Sequence, residues 1–189
     1  MKRFASPLTV LAVLFFGPVV LAIVLYAGKD FFSGFDLLSN PDREIIENPP
    51  TVPAIPLQSD DGGADRMDSF RSRWSLIYAR ITDCDEACLS ALERIGQVHL
   101  ALGKERQRVR LVFLAAQGQL DVPGDFLKGA LDAPEGAEWI RLLGPEHLEN
   151  GRYFVVDPLG NLILSYPPDA DQKRLLEDLK RLLAVSRIG

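Results

Sequence analysis

Between residues 74 and 114 the chain carries a β-prone run, an amphipathic stretch and a second apolar run, the order of a strand, a helix and a strand. Trp74 to Ile81 mixes apolar and β-prone residues without Gly or Pro and reads as a strand. From Asp85 to about Gly103 the apolar positions Cys88, Leu92, Ile95, Val98 and Leu102 recur at helical spacing, and Gly103 is a helix-ending residue. Lys104 to Arg108 reads as a charged turn, and Val109 to Leu114 as a buried strand. A strand, a helix and a strand in that order form a right-handed crossover unit with parallel strands.

The remainder of this half of the chain narrows the choice. A Gly- and Pro-punctuated region follows, with short helices expected around Asp125 to Leu131 and Glu135 to Leu143. Tyr153 to Val156 and Leu162 to Tyr166 flank the turn sequence Asp157-Pro158-Leu159-Gly160-Asn161, which predicts a hairpin. Asp169 is expected to cap a last amphipathic helix, Gln172 to about Ser186, with Leu175, Leu176, Leu179, Leu182 and Leu183 on one face. The order β-α-β, irregular helices, β-β hairpin, α is that of an α/β thioredoxin-like fold. The only two cysteines, Cys84 and Cys88, lie where its first strand meets its first helix.

Ahead of this domain, Leu8 to Tyr26 is a run of nineteen residues without a charged side chain. At about 1.5 Å per residue it spans close to the ~30 Å hydrocarbon core, so an N-terminal transmembrane helix is expected, with Pro18 as a kink. The rival is a cleavable signal peptide, whose apolar region is shorter and ends at a small-x-small site, unlike Leu25-Tyr26-Ala27. Lys2 and Arg3 before the run place the N-terminus in the cytoplasm by the positive-inside rule and the remainder outside, in a bacterium the periplasm. Asn40 to Met67 contains Pro41, Pro49, Pro50, Pro53 and Pro56 and reads as a Pro-rich linker. The expected organisation is therefore 1–28 anchor, 29–70 Pro/Asp-rich tether and 71–189 folded domain. Net charge is −5 without a basic block beyond Lys2-Arg3, which disfavours nucleic acid as a partner.

The cysteine pair has three chemical uses. It can form a structural disulfide, exchange disulfides with thiols, or hold a soft metal such as Cu(I) through two thiolates. At the start of a helix, unpaired amides and the helix dipole stabilise a thiolate, making Cys84 the expected nucleophile, while Asp83, Asp85 and Glu86 act in the opposite direction. These carboxylates also suit helix capping. A third ligand such as imidazole can complete a metal site, and there are two histidines to supply it. His99 is eleven residues beyond Cys88 on the same helix, about 16 Å away by helical rise, and cannot share a metal with it. His147 precedes the strand that begins near Tyr153, and the loop before that strand faces the cysteine pair in a thioredoxin fold. The metal candidates are thus Cys84, Cys88 and His147, and the catalytic candidates Cys84 and Cys88.

Thr82-Asp83-Cys84-Asp85-Glu86-Ala87-Cys88-Leu89 resembles the Thr-x-Cys-Pro-x-x-Cys-Pro motif of the Sco/SenC family of membrane-anchored copper proteins. The three-residue gap matches and both prolines are missing. The Pro158-Leu159-Gly160 turn after Tyr153 to Val156 matches the family's Pro-x-Gly turn, and His147 falls one or two positions from the expected histidine. The chain is similar, over nearly its whole length, to a proteobacterial set of small anchored thioredoxin-like proteins associated with oxidase assembly. That similarity includes Glu44 to Pro50, the Cys-Asp-x-x-Cys segment, Ala101-Leu102-Gly103-Lys104 and Asp157 to Leu162. The resemblance implies a role in cytochrome c oxidase biogenesis, with oxidase subunits or assembly factors as partners and copper as the metal. A general periplasmic thiol-disulfide oxidoreductase and a non-catalytic assembly scaffold are the alternatives.

Overall fold

The computed structural model describes residues 14–20, 40–59, 64–65, 70–186 and 188. The chain divides into two units, 1–40 and 41–189. In the first, residues 14–20 are helical; the rest of the expected membrane span, 8–13 and 21–26, lies outside the described residues. Among the described residues no helix is long and apolar enough to cross a membrane.

Among the described residues of the second unit an eight-stranded sheet is built around β4 (Trp74–Ala79), every residue of which is buried. It pairs in parallel with β5 (Val109–Ala115) and antiparallel with β7 (Arg152–Val156), which continues into β8 (Leu162–Tyr166) as an antiparallel hairpin. Helix α1 (Glu86–Ala101) makes the crossover from β4 to β5, as the sequence predicts. Because side chains alternate across a strand, β4 and β5 feed two cores. Trp74, Leu76, Tyr78, Val109, Leu111 and Phe113 face α1 and the last helix, α4 (Gln172–Val185), which contributes Leu175, Leu179 and Leu183. Ile77, Ala79, Val112 and Leu114 face the opposite side, packed with Trp139 and Leu143 of α2 (Gly136–Leu143) and Leu148 of the one-turn helix α3 (Pro145–Leu148).

Three elements differ from expectation. Leu127–Ala130 is a strand, β6, parallel to β5, where a helix is expected. Its pairing with β5 is what makes it a strand, and at Gly129 an added β-carbon would press on the tips of the Leu114 and Leu57 side chains. The cap of α4 is Asp171, which accepts from the amides of Lys173 and Arg174, and not Asp169. The charged turn after α1 is a 3-10 helix, Gly103–Arg108, entered through Gly103 at a φ of 61°.

The proline-containing segment also departs from a free tether. Its residues 29–39, 60–63 and 66–69 lie outside the described residues, but 41–58 are built into the folded unit. Strand β1 (Glu44–Ile45) pairs with β8, and β2 (Leu57–Gln58) with β6 and with β3 (Ala64–Asp65). Val52, Ile55 and Leu57 are buried beside Phe70 and Trp139. The prolines all fall outside the two-residue strands β1 and β2, where they take no amide from the ladder, and the segment's few apolar residues find a ready-made face to cover. Arg43 adds an ion pair at 2.8 Å to the buried Asp178 of α4, which also accepts from the Tyr166 hydroxyl. Leu57→Ala is expected to destabilise the fold by about 2 to 5 kcal/mol in urea denaturation, the range for emptying a packed leucine site. A change within ~0.5 kcal/mol, as for a surface substitution, would return the segment to the status of a tether.

Candidate functional site

The cysteines lie just beyond the C-terminal end of β4. After Ala79 the chain is still held on both sides: the Arg80 amide donates to Leu114 carbonyl at 2.9 Å and the Ile81 amide to Leu148 carbonyl at 3.1 Å. The Thr82 hydroxyl donates to the Glu149 carbonyl at 2.8 Å, fastening the cysteine loop to the segment after α3. The Cys84 amide donates to Gln119 Oε1 at 2.9 Å. Asp85, in extended conformation, then caps α1 by accepting the Cys88 amide at 3.0 Å. One of the free amides at this helix end is thereby satisfied.

Cys84 therefore stands one residue before the cap, outside the helix, and Cys88 in its first turn. The turn brings their Cα atoms to 5.1 Å and the thiols are bridged as a disulfide. Cys88 is completely buried, whereas Cys84 is half-buried, so Cys84 is the more accessible residue of the pair. By the chain-entropy relation, a loop this short yields only about 2 kcal/mol of stabilisation, against ~3 for fifteen residues. As a staple the bridge is weak, and its partial exposure is of more consequence.

The electrostatics differ from a simple count of acidic neighbours. Arg80 grips Asp85 with a two-pronged contact, NH1 to Oδ1 at 2.8 Å and NH2 to Oδ2 at 3.0 Å, while its Nε donates to Thr82 Oγ1 at 2.6 Å. Hydrogen bonding from Arg80, and then from the Cys88 amide, holds the Asp85 carboxyl below its ordinary value. Of the three carboxylates beside Cys84, Asp85 is thus countered by a cation, while Asp83 and Glu86 face solvent. Behind the loop, Tyr78 is buried against Phe113 and Tyr153, with ring centroids at 6.1 and 5.2 Å. Burial raises its phenol pKa and Arg80 opposes the shift, so it remains protonated. Gly151, at a φ of 76°, lies against that hydroxyl, and a β-carbon there would overlap it. Nothing in the local sequence marks Arg80, Gln119 or Gly151, because each acts across the fold.

His147 lies on α3, half-exposed, with its ring beside Gly144 and Nε2 3.8 Å from Glu146. Its segment is bonded to the cysteine loop as expected, yet among the described residues no three His, Cys, Asp or Glu side chains are grouped to hold a metal. The structure brings Cys84 and Cys88 together as a bridged pair. His99 has a structural place: Nε2 lies 2.7 Å from the Val109 carbonyl and 3.0 Å from that of Arg106, tying the end of α1 to β5.

A β-α-β unit with a bridged cysteine pair at its helix start, followed by an antiparallel hairpin and a closing helix, defines a thioredoxin-like domain. The chain belongs to the family described as the transmembrane-like, thioredoxin-like, C-terminal domain, which matches residues 74–186. Among solved structures the domain is similar to copper-bound Sco1 from yeast, at 15% identity over 72% of this chain and 95% of that one, with a TM-score of 0.57. It is similar to BsSco, described with a disulfide switch as a member of the Sco family of cytochrome c oxidase assembly proteins, at 17% identity, 75% and 99% coverage and a TM-score of 0.51. A putative thiol:disulfide interchange protein DsbE from Chlorobium tepidum matches at 13% identity, 75% and 99% coverage and a TM-score of 0.53. At these identities the likeness is one of fold. No curated protein matches the sequence significantly.

The Asp85 cap has a defined pH signature. Its folded pKa lies below the ordinary 3.8, so the stability it contributes is present above that value and is lost as pH falls through the folded pKa. In Asp85→Asn the loss of melting temperature between about pH 4 and pH 2 is expected to be shallower than in the native chain. Parallel acid limbs for the two proteins would show that the cap carries no charge-dependent stability.

Proposed function

We propose that the protein is a membrane-anchored thiol-disulfide oxidoreductase acting in cytochrome c oxidase biogenesis, with Cys84 as the exchanging cysteine and Cys88 as the resolving one. The observation that carries the reading is the bridged pair at the start of α1, half-buried at Cys84 and fully buried at Cys88. Support for the setting comes from the fold shared with BsSco and with the putative DsbE, and from the apolar run 8–26 in a family described as transmembrane-like. In this reading 8–26 anchors the chain in the inner membrane and the folded domain stands in the periplasm. Oxidase subunits or their assembly factors are its partners.

In the reducing direction, the Cys84 thiolate attacks one sulfur of a partner disulfide and the partner's other sulfur leaves as a thiolate, which takes a proton. Cys88, as thiolate, then attacks Cys84 Sγ, closing the intramolecular bridge and releasing the partner's second sulfur. Two electrons pass from the pair to the partner, and a dithiol reductant restores the pair. Cys88→Ser is expected to accumulate a mixed disulfide through Cys84, seen as a mass increase by non-reducing electrophoresis or mass spectrometry, whereas Cys84→Ser accumulates none. Equal trapping by both variants, or by neither, would remove the assignment. With both cysteines replaced, oxidase assembly is expected to fail in cells although the domain folds; intact assembly would leave a scaffold.

Copper is a second reading, favoured by the fold shared with copper-bound yeast Sco1 and by the soft thiolates that a reduced pair offers. Cys84 and Cys88 would hold the ion, and His147, on the segment bonded to the cysteine loop, is the imidazole proposed to complete the site. In a Cu(I) competition titration the reduced chain is expected to bind about one ion. Cys84→Ser and Cys88→Ser should abolish that binding and His147→Ala weaken it. A reduced native chain that takes up no Cu(I) would exclude this reading.

A further inference from the structure

We propose that Arg80 is a positioning residue that sets the redox equilibrium of the Cys84–Cys88 pair by countering the Asp85 carboxylate beside it. The inference deepens the thiol-disulfide reading and rests on it for its biological meaning. Arg80 leaves the end of β4 and reaches both sides of the cysteine loop, with Nε on Thr82 and a two-pronged grip on Asp85. Thr82 passes the contact on to the Glu149 carbonyl, and Asp85 to the Cys88 amide. The guanidinium side chain is only 11% exposed, while Asp85 is 57% exposed, so the cation is a fixed part of the fold and the carboxylate comes to it.

The charge balance gives the arrangement its redox consequence. The disulfide is neutral, and two-electron reduction breaks the S–S bond and leaves two sulfurs that carry either protons or negative charge. Negative charge on Cys84 is opposed by Asp83, Asp85 and Glu86, and Arg80 is the cation that cancels the member of this set adjacent to both cysteines in the cap. Without it, Asp85 keeps its place at the cap with its charge uncompensated, the reduced form is disfavoured and the disulfide gains. Neutralising Asp85 with Arg80 in place acts in the opposite sense. A role confined to holding the loop together would move both variants in the same direction.

The test is the reduction potential of the full chain, purified in detergent and equilibrated at fixed pH in dithiothreitol redox buffers. Arg80→Gln is expected to favour the disulfide by about threefold to tenfold, lowering the potential by roughly 15 to 30 mV. Asp85→Asn should raise the potential, the double variant should return near the native value, and Arg80→Lys, which keeps the charge without the fork, should retain most of it. Shifts of the same sign in both single variants, or an unchanged potential in folded Arg80→Gln, would overturn the proposal. If Arg80→Gln does not fold, Asp85→Asn decides, since a lowered or unchanged potential there also overturns it. Mixed-disulfide trapping tests the exchange reading separately: potentials that move as stated in a chain that never traps a partner keep this proposal and remove that reading.

Discussion

Strand β4 is the element on which the structure depends. Its six buried residues are hydrogen-bonded to β5 on one side and β7 on the other, and their alternating side chains supply both cores at once. A strand committed on both edges and both faces has no register other than its own. The ladder also continues past the strand, because the Arg80 and Ile81 amides still find carbonyls on Leu114 and Leu148. The cysteine loop is therefore launched from a rigid end, and the bridge it carries is positioned by the centre of the sheet.

What surrounds the bridge follows from the needs of a helix end. The first amides of α1 require acceptors, and Asp85 satisfies the one at Cys88. A carboxylate in that position opposes a thiolate next door, and the fold answers with Arg80 drawn from the strand behind. Gln119 takes the Cys84 amide and Thr82 reaches the segment after α3, so three separate parts of the chain hold four residues of loop. Gly151 completes the enclosure by letting its backbone pass against the Tyr78 hydroxyl. The resulting site leaves Cys84 half-buried and hides Cys88 completely.

The N-terminal part of the folded unit shows how composition can mislead. Five prolines between Asn40 and Met67 point to extended chain, and residues 44–45 and 57–58 are indeed extended. They are extended as strands of a sheet, however, β1 at its edge and β2 between β6 and β3, with Glu44 accepting from Arg152 and Ser165 and with Ile55 and Leu57 in the core. Low apolar content is decisive only for a segment that must form its own core. One laid over an existing face needs a few well-placed residues.

The sequence by itself determined the β-α-β crossover, the hairpin through Asp157 to Asn161, the last helix and the location of the cysteines at the first strand-to-helix junction. Each of these is written in local periodicity and turn chemistry, which neighbouring residues are enough to specify. The tertiary structure alone decided the strand at Leu127–Ala130, which pairs with β5, and the short strands before Phe70. It also decided the pairing of Arg80 with Asp85 and the burial of Cys88 relative to Cys84. These depend on side chains meeting across the fold, where distance along the chain carries no information about distance in space.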